Sequence, residues 1–209
     1  MKKIILLSIA MFLLLAMSIA QDNRRDNLLF GIKAGANLAN VYDTEGEDFE
    51  ADSKLGIAAG VFLSIPIGSF LGIQPEVLYS QKGYRSSGSV ATIGYEFKHT
   101  ASYLDIPLLI QLKPHPMLTI LAGPQYSYLM KEKKEFDSSV LSTTQEEEFT
   151  NDNVRKNILG FIGGVDLDFD PLVLGARVGW DIQNNKGDGT STIPRYKNVW
   201  YQLTIGILF

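Results

Sequence analysis

The 209-residue chain contains no cysteine, only two histidines and, after its first twenty residues, no convincing helical periodicity. Without cysteine it has no disulfide bond and no thiol for a lipid anchor, so packing and hydrogen bonds must supply its stability. Its net charge of −4 at pH 7 argues against nucleic-acid binding, which needs a basic surface. The scarcity of histidine also leaves few candidate bases for catalysis.

The first twenty residues have the pattern of a secretory signal. Lys2 and Lys3 precede an apolar, uncharged run from Ile4 to Ile19, and small residues at Ser18 and Ala20 fit a cleavage site. The alternative is an uncleaved anchor, but the run is short for a spanning helix of about 20 residues. We therefore predict a signal peptide at 1–20 and one mature domain at 21–209.

Eight runs of the mature chain alternate between apolar and other residues with a period of two, which is typical of strands. In every run one face is apolar and carries no charge. The runs cover 28–38, 55–65, 71–79, 104–112, 118–128, 159–169, 172–182 and 199–209.

The opposite face of these runs combines many glycines with ionisable residues, and a soluble barrel would bury that face at a cost of several kcal/mol for each unpaired charge. Such a barrel would also expose an apolar belt larger than soluble monomers carry. Turning the apolar face toward lipid removes both problems, and strands in lipid must close into a ring. We predict an all-β, eight-stranded antiparallel up-and-down transmembrane β-barrel. Its predicted lumen network comprises Lys33, Glu76, Asp105, Asp166, Arg177 and Asp181.

The connections alternate in length. Short links fall at 66–70, 113–116 and 170–171, and long ones at about 40–54, 83–100, 131–157 and 184–196. Bacterial barrels have short periplasmic turns and long outer loops, so we expect both termini in the periplasm and four long loops outside. Pro75 and Pro124 predict a bulge or local irregularity. Parity also predicts that Leu108 faces lipid and that Leu109 faces the lumen. Leu109→Arg should therefore destabilise the barrel less than Leu108→Arg if the lumen has room for the side chain.

Several stretches resemble the small outer-membrane β-barrel proteins of Bacteroidota, the PorT-like "porin family" group. They are Phe30–Asn37, Ile73–Gly83, Tyr103–Leu109 and Gly123-Pro124. The resemblance implies the barrel fold, the cell outer membrane and a terminal aromatic strand read by the barrel-insertion machinery. That insertion signal would consist of Tyr201, Leu203, Ile205, Ile207 and Phe209.

Four groups of residues could carry chemistry. The lumen charges could line an ion path, although pairing across the interior is the commoner role of such groups. An acidic segment from Asp43 to Asp52 lacks the spacing of an EF-hand, and Glu146–Glu148 lies opposite Lys131, Lys133 and Lys134 in a candidate contact surface. His99 is expected to face inward with Tyr103 and Asp105, whereas Ser102 faces lipid, which separates a candidate base from a candidate nucleophile.

The sequence therefore favours a non-enzymatic outer-membrane barrel with a structural or interaction role through its outer loops. A narrow channel through the polar lumen is the first alternative, and an outer-membrane hydrolase using His99 is the second. We expect no cofactor, no metal and no nucleic acid. The expected partners are outer-membrane lipid, the insertion machinery and an unidentified extracellular or periplasmic protein.

Overall fold

The computed structural model describes residues 26–42, 52–90, 93–138, 142–147, 156–185 and 196–209. The predicted signal peptide and the acidic residues Asp43, Glu45, Glu47, Asp48 and Glu50 lie outside these ranges. Within the described residues, no helix has the length and hydrophobicity needed to cross a membrane. The described secondary structure consists of strands β1 (Leu29–Tyr42), β2 (Asp52–Pro66), β3 (Leu71–Val90), β4 (Ile93–His115), β5 (Leu118–Ser138), β6 (Ser142–Glu147), β7 (Asn157–Phe169), β8 (Leu172–Asp181) and β9 (Lys197–Leu208).

The strands form one antiparallel sheet that closes on itself. Its order is β4-β3-β2-β1-β9-β8-β7-β5-β6, and β4 also pairs with β5. Eight strands therefore make the ring, as predicted, and β6 adds to the outer part of β5, where Glu132–Asp137 pair with Ser142–Glu147. The last strand closes the barrel against the first, from Gly31↔Leu208 to Tyr42↔Lys197.

Burial alternates along the ring strands, as the period-two pattern requires. Leu108 is 52% exposed and Ile110 is 59% exposed, whereas Leu109 between them is 1% exposed. Leu203 and Ile205 are likewise exposed while Gln202 is buried. The apolar face therefore points away from the barrel axis, and the polar face fills the interior.

Two of the predicted long loops contain β-strands. Predicted loop two, at 83–100, is almost wholly strand, because β3 and β4 continue as a paired hairpin up to Val90↔Ile93. Predicted loop three, at 131–157, contains the end of β5 and all of β6. We call this region of β3, β4, β5 and β6, residues 81–90, 93–102, 131–138 and 142–147, the loop-end sheet. The opposite end, with its short connections, is the turn end.

The two prolines leave the strand register unchanged. Residue pairs are missing around Pro75 in the β2–β3 ladder and around Pro124 in the β4–β5 ladder, but the pairs on either side keep the same offset. The register shifts lie elsewhere, between Ser53 and Ala58 in β2 and, in β4, between Ser102 and Tyr103 and between Leu112 and His115. The expected irregularity is thus a missing ladder pair, as the absence of a proline N–H donor requires.

Candidate functional site

A four-membered charge cluster spans the lumen near the turn end. The Arg177 guanidinium on β8 donates through Nη1 to both Glu76 carboxylate oxygens on β3, at 2.8 and 2.9 Å, and through Nη2 to Asp166 on β7, at 2.9 and 3.2 Å. Lys33 Nζ on β1 lies 2.6 Å from Glu76 Oε1. Two cations and two carboxylates balance one another, and charge-assisted hydrogen bonds of this kind are stronger than those between neutral groups.

Small residues make space for this cluster. A Cβ placed on Gly175 would lie 2.8 Å from Asp166 Oδ1 and 2.5 Å from Thr204 Oγ1. Any side chain there would displace the carboxylate from Arg177. The glycines that the sequence places beside long polar residues therefore allow a narrow lumen to hold them.

A chain of neutral hydrogen bonds continues from the cluster toward the turn end. Gln74 Nε2 donates to Glu76 Oε1 at 2.7 Å, Gln111 Nε2 donates to Gln74 Oε1, and Ser64 Oγ donates to Gln111 Oε1 at 3.0 Å. The Lys33 ammonium also lies over the Phe62 ring, 4.8 Å from its centroid. These contacts satisfy buried polar groups that would otherwise destabilise the barrel.

A second charge cluster lies nearer the loop end. Lys82 Nζ contacts both Asp105 carboxylate oxygens at 3.1 and 3.2 Å, and it lies over the rings of Trp200 and Tyr103, 3.8 and 4.8 Å from their centroids. The Lys82 side chain is fully buried, so its charge is held by one carboxylate and two aromatic faces.

The remaining predicted lumen carboxylate is part of a separate pair. Asp181 Oδ2 accepts hydrogen bonds from the backbone N–H of Asn198, at 3.2 Å, and from its side-chain amide. Asn37 bridges neighbouring strands, donating to Ser80 Oγ at 2.9 Å and accepting from Gln202 Nε2 at 2.9 Å. All six predicted lumen residues are therefore buried, but in three separate groups rather than one network.

The lumen also contains an apolar layer. Leu109, Leu121, Ile162 and Trp200 pack together with Ala39, and each is at most 1% exposed. A milder effect of Leu109→Arg was expected only if the lumen had room, and this packed layer does not meet that condition.

The loop end of the lumen is closed by aromatic side chains. The His99 ring stacks on Tyr84 with a centroid distance of 5.2 Å, and Tyr196 meets both rings edge-on at 5.6 and 6.2 Å. His99 Nε2 lies 3.4 Å from Glu132 Oε1. Burial, and secondly the negative charge of Glu132, raise the pKa of Tyr84 to about 12, so the hydroxyl stays neutral at physiological pH.

The outward face of the barrel wall changes from apolar to charged at the level of these aromatic rings. Below it the outward residues are apolar, whereas on the loop-end sheet they include Arg85, Lys98 and Lys133. Lys98 pairs with Glu96 at 3.1 Å, and the ammonium of Lys133 lowers the pKa of Glu135 by donating a hydrogen bond to its carboxylate. Charges on this face mark a part of the sheet that lies in water beyond the lipid.

The candidate base His99 and the candidate nucleophile Ser102 lie on opposite faces of β4 and do not form a catalytic pair. His99 is buried on the inner face, whereas Ser102 lies on the outer face and accepts a hydrogen bond from the Tyr79 hydroxyl at 3.0 Å. His115 lies in a turn at the other end and accepts from the Met117 N–H. Among the described side chains, no group of three or more His, Asp or Glu residues is placed to hold a metal ion.

Sequence reasoning missed several lumen residues that share the inward parity of those it named. Lys82 follows Gln74, Glu76 and Ser80 at even positions of β3, and Trp200 precedes Gln202 on β9. Extending the third run, 71–79, by three residues would have included Lys82, whereas Trp200 already lies in the eighth run, 199–209, at a position with inward parity. No sequence pattern indicates which charged residues pair with each other, because the partners lie on strands that are distant along the chain.

Residues 19–186 match the family described as the outer membrane protein beta-barrel domain. The chain belongs to this family. Membership indicates the cell outer membrane as its location and agrees with the closed ring of eight strands. A comparison with curated proteins found no match.

Solved structures similar to this member of the family are small outer-membrane proteins. Ail, the attachment invasion locus protein of Yersinia pestis, in complex with the heparin analogue sucrose octasulfate, is 13% identical with a TM-score of 0.49, covering 88% of this chain and 99% of Ail. Neisserial surface protein A is 13% identical with a TM-score of 0.48, covering 86% and 97%. CarO2 of Acinetobacter baumannii is 12% identical with a TM-score of 0.45, covering 88% and 100%.

Proposed function

We propose that this outer-membrane barrel is a non-enzymatic interaction protein that presents its loop-end sheet to the cell exterior. The single observation that carries the proposal is the continuation of β3, β4 and β5 beyond the apolar part of the wall, where β6 pairs with β5. Long unstructured loops need no such backbone pairing. A hydrogen-bonded sheet outside the membrane is a preorganised surface, which lowers the entropy cost of binding.

The orientation follows from the connections. Short turns join β2 to β3, β4 to β5 and β7 to β8 at one end, and both described termini lie at that end, where Phe30 and Phe209 exchange backbone hydrogen bonds. Short turns are periplasmic in bacterial barrels. We therefore assign the turn end to the periplasm and the loop-end sheet to the exterior.

A conducting channel is the weaker alternative. Eight strands enclose a lumen that side chains can fill, and here it holds the Arg177 cluster, the Leu109 layer and the rings of Trp200, Tyr84 and Tyr196. Ions would have to displace paired charges and packed rings. Refolded barrel in a planar bilayer should give no steady, discrete openings, and such openings would favour the channel.

The interaction role can be tested by photocrosslinking in intact cells. A photoreactive side chain replaces Lys98 or Lys133 on the loop-end sheet, and Ser69 in the exposed turn between β2 and β3 serves as the matched position at the other end. Extracellular partners should crosslink at the sheet positions and not at Ser69. Crosslinks to extracellular protein at Ser69 alone would contradict the orientation, and none at any sheet position would contradict the role.

Two narrower assignments belong to this proposal. The PorT-like resemblance of Phe30–Asn37 and Ile73–Gly83 supports a place among Bacteroidota barrels. The exposed, alternating side chains of Tyr201, Leu203 and Ile205 on β9, which Phe209 follows, support recognition by the insertion machinery, with outer-membrane lipid as the surrounding partner.

A further inference from the structure

A cavity of about 270 Å³ lies at the turn end of the lumen. Asp166 and Gln74, which belong to the Arg177 cluster and its hydrogen-bond chain, line its inner part. Asp170 and Pro116, which are exposed, line its mouth. The cavity is therefore a pocket that reaches the surface at one end and is blocked by paired charges at the other.

The charges on the cavity wall are unequal. Three carboxylates, those of Asp166, Asp168 and Asp170, line it together with one ammonium group, that of Lys113. Arg177 pairs with Asp166, and the Thr119 hydroxyl donates to Asp168 Oδ2 at 2.9 Å. The carboxylates of Asp168 and Asp170 and the ammonium of Lys113 therefore leave one net negative charge nearer the mouth. A low-dielectric pocket concentrates this negative potential and favours a positively charged ligand.

The rest of the wall combines apolar and neutral polar groups. Phe62, Val173 and Leu208 provide apolar surface, and the Ser64 hydroxyl and Gln111 amide provide hydrogen-bonding groups. Pockets that hold small molecules share this composition, with mostly apolar walls and a few polar groups that fix orientation.

We propose that the turn-end cavity binds a cation carried on a short apolar stem. A lysine side chain of an exported peptide and a free alkylamine share this chemistry. The stem would lie against Phe62 and Val173, and the cation would approach Asp168 and Asp170. The proposed interaction through the loop-end sheet does not depend on this site, because the two lie at opposite ends of the barrel.

Because the chain has no cysteine, one introduced thiol can report on the cavity. Ser64→Cys changes only an oxygen to a sulfur in the wall, and Ser69→Cys is the control in the exposed turn on the same side. We would measure labelling of folded barrel in nanodiscs by a cationic and an anionic methanethiosulfonate. The ratio of cationic to anionic rates should be about tenfold higher at position 64, as expected for one net negative charge several ångströms away. Replacing Asp168 and Asp170 with asparagine should abolish most of that excess.

Ligand protection then tests binding itself. Nα-acetyl-lysine methylamide should slow labelling at position 64 and leave position 69 unchanged, whereas the neutral Nα-acetyl-norleucine methylamide should protect far less. Protection by cadaverine as well would support a site for simple amines, and protection by the lysine derivative alone would support a peptide side chain. Equal charge ratios at the two positions, or equal protection by the lysine and norleucine derivatives, would overturn the proposal. Heat-dependent gel mobility verifies folding, and Thr119→Cys provides a second cavity position should Ser64→Cys not fold.

Discussion

Replacing Arg177 with methionine tests whether the lumen charges hold the barrel together. Methionine keeps an unbranched apolar stem and removes the guanidinium group, which donates hydrogen bonds to both Glu76 and Asp166. Glu76 would keep Lys33, at 2.6 Å, but Asp166 would lose its bidentate partner in a buried site. Removing one partner of a buried ion pair costs about 3–5 kcal/mol, and we expect Arg177→Met to lower the free energy of unfolding by that amount.

The assay is reversible urea unfolding of the barrel in lipid vesicles, followed by tryptophan fluorescence. Arg85→Met is the matched control, because Arg85 is exposed on the loop-end sheet and should change stability by no more than about 0.5 kcal/mol. Adding Asp166→Asn to Arg177→Met should restore part of the loss, with a coupling energy of about 0.5–3 kcal/mol. A loss below about 1 kcal/mol for Arg177→Met, or equal losses for the two arginines, would refute the reasoning.

Three further predictions concern the wall, the terminal strand and the loop end. Leu108→Arg should cost about 2–4 kcal/mol in the same unfolding assay, because it places a charge among lipid tails, and a cost near zero would contradict the lipid-facing assignment. Deleting Phe209 should reduce assembly into outer membranes in cells more than it reduces the stability of refolded protein, and normal assembly would remove the insertion role. Tyr84→Phe should abolish one ultraviolet-absorbance titration step near pH 12. The pKa of Tyr84 is raised from 10.0 in folded protein. The contribution of Tyr84 to stability should therefore be present below pH 10 and should be lost as the pH rises to about 12. A titration that Tyr84→Phe leaves unchanged would argue against the burial of Tyr84.

The alternation of side chains made the barrel predictable. A period of two assigns each residue of a strand to one of two faces, and uncharged apolar residues on one face of eight runs leave lipid as their only extensive environment. Leu108 and Leu109 show the strength of this rule, since adjacent leucines are 52% and 1% exposed. They also show its limit, because parity gives the direction of a side chain and not the space available to it.

The arrangement within the lumen was less predictable, because it depends on pairing across the barrel. Arg177 and Glu76 are 101 residues apart, and nothing local to either residue selects the other. The extent of β3 to β6 was missed for a different reason. Outside the lipid both faces of a strand can be polar, so residues 83–100 lose the apolar alternation while their backbone pairing continues.

A nitroxide scan of β9 would show which face of the barrel wall meets lipid. Single spin labels at residues 200–207, in a chain that has no native cysteine, report collision with oxygen, which concentrates in lipid. We expect the collision rate with oxygen to alternate with a period of two residues and to be highest at positions 201, 203, 205 and 207. Maxima at the even positions, or the absence of alternation, would contradict an apolar face toward lipid and a polar face toward the barrel axis.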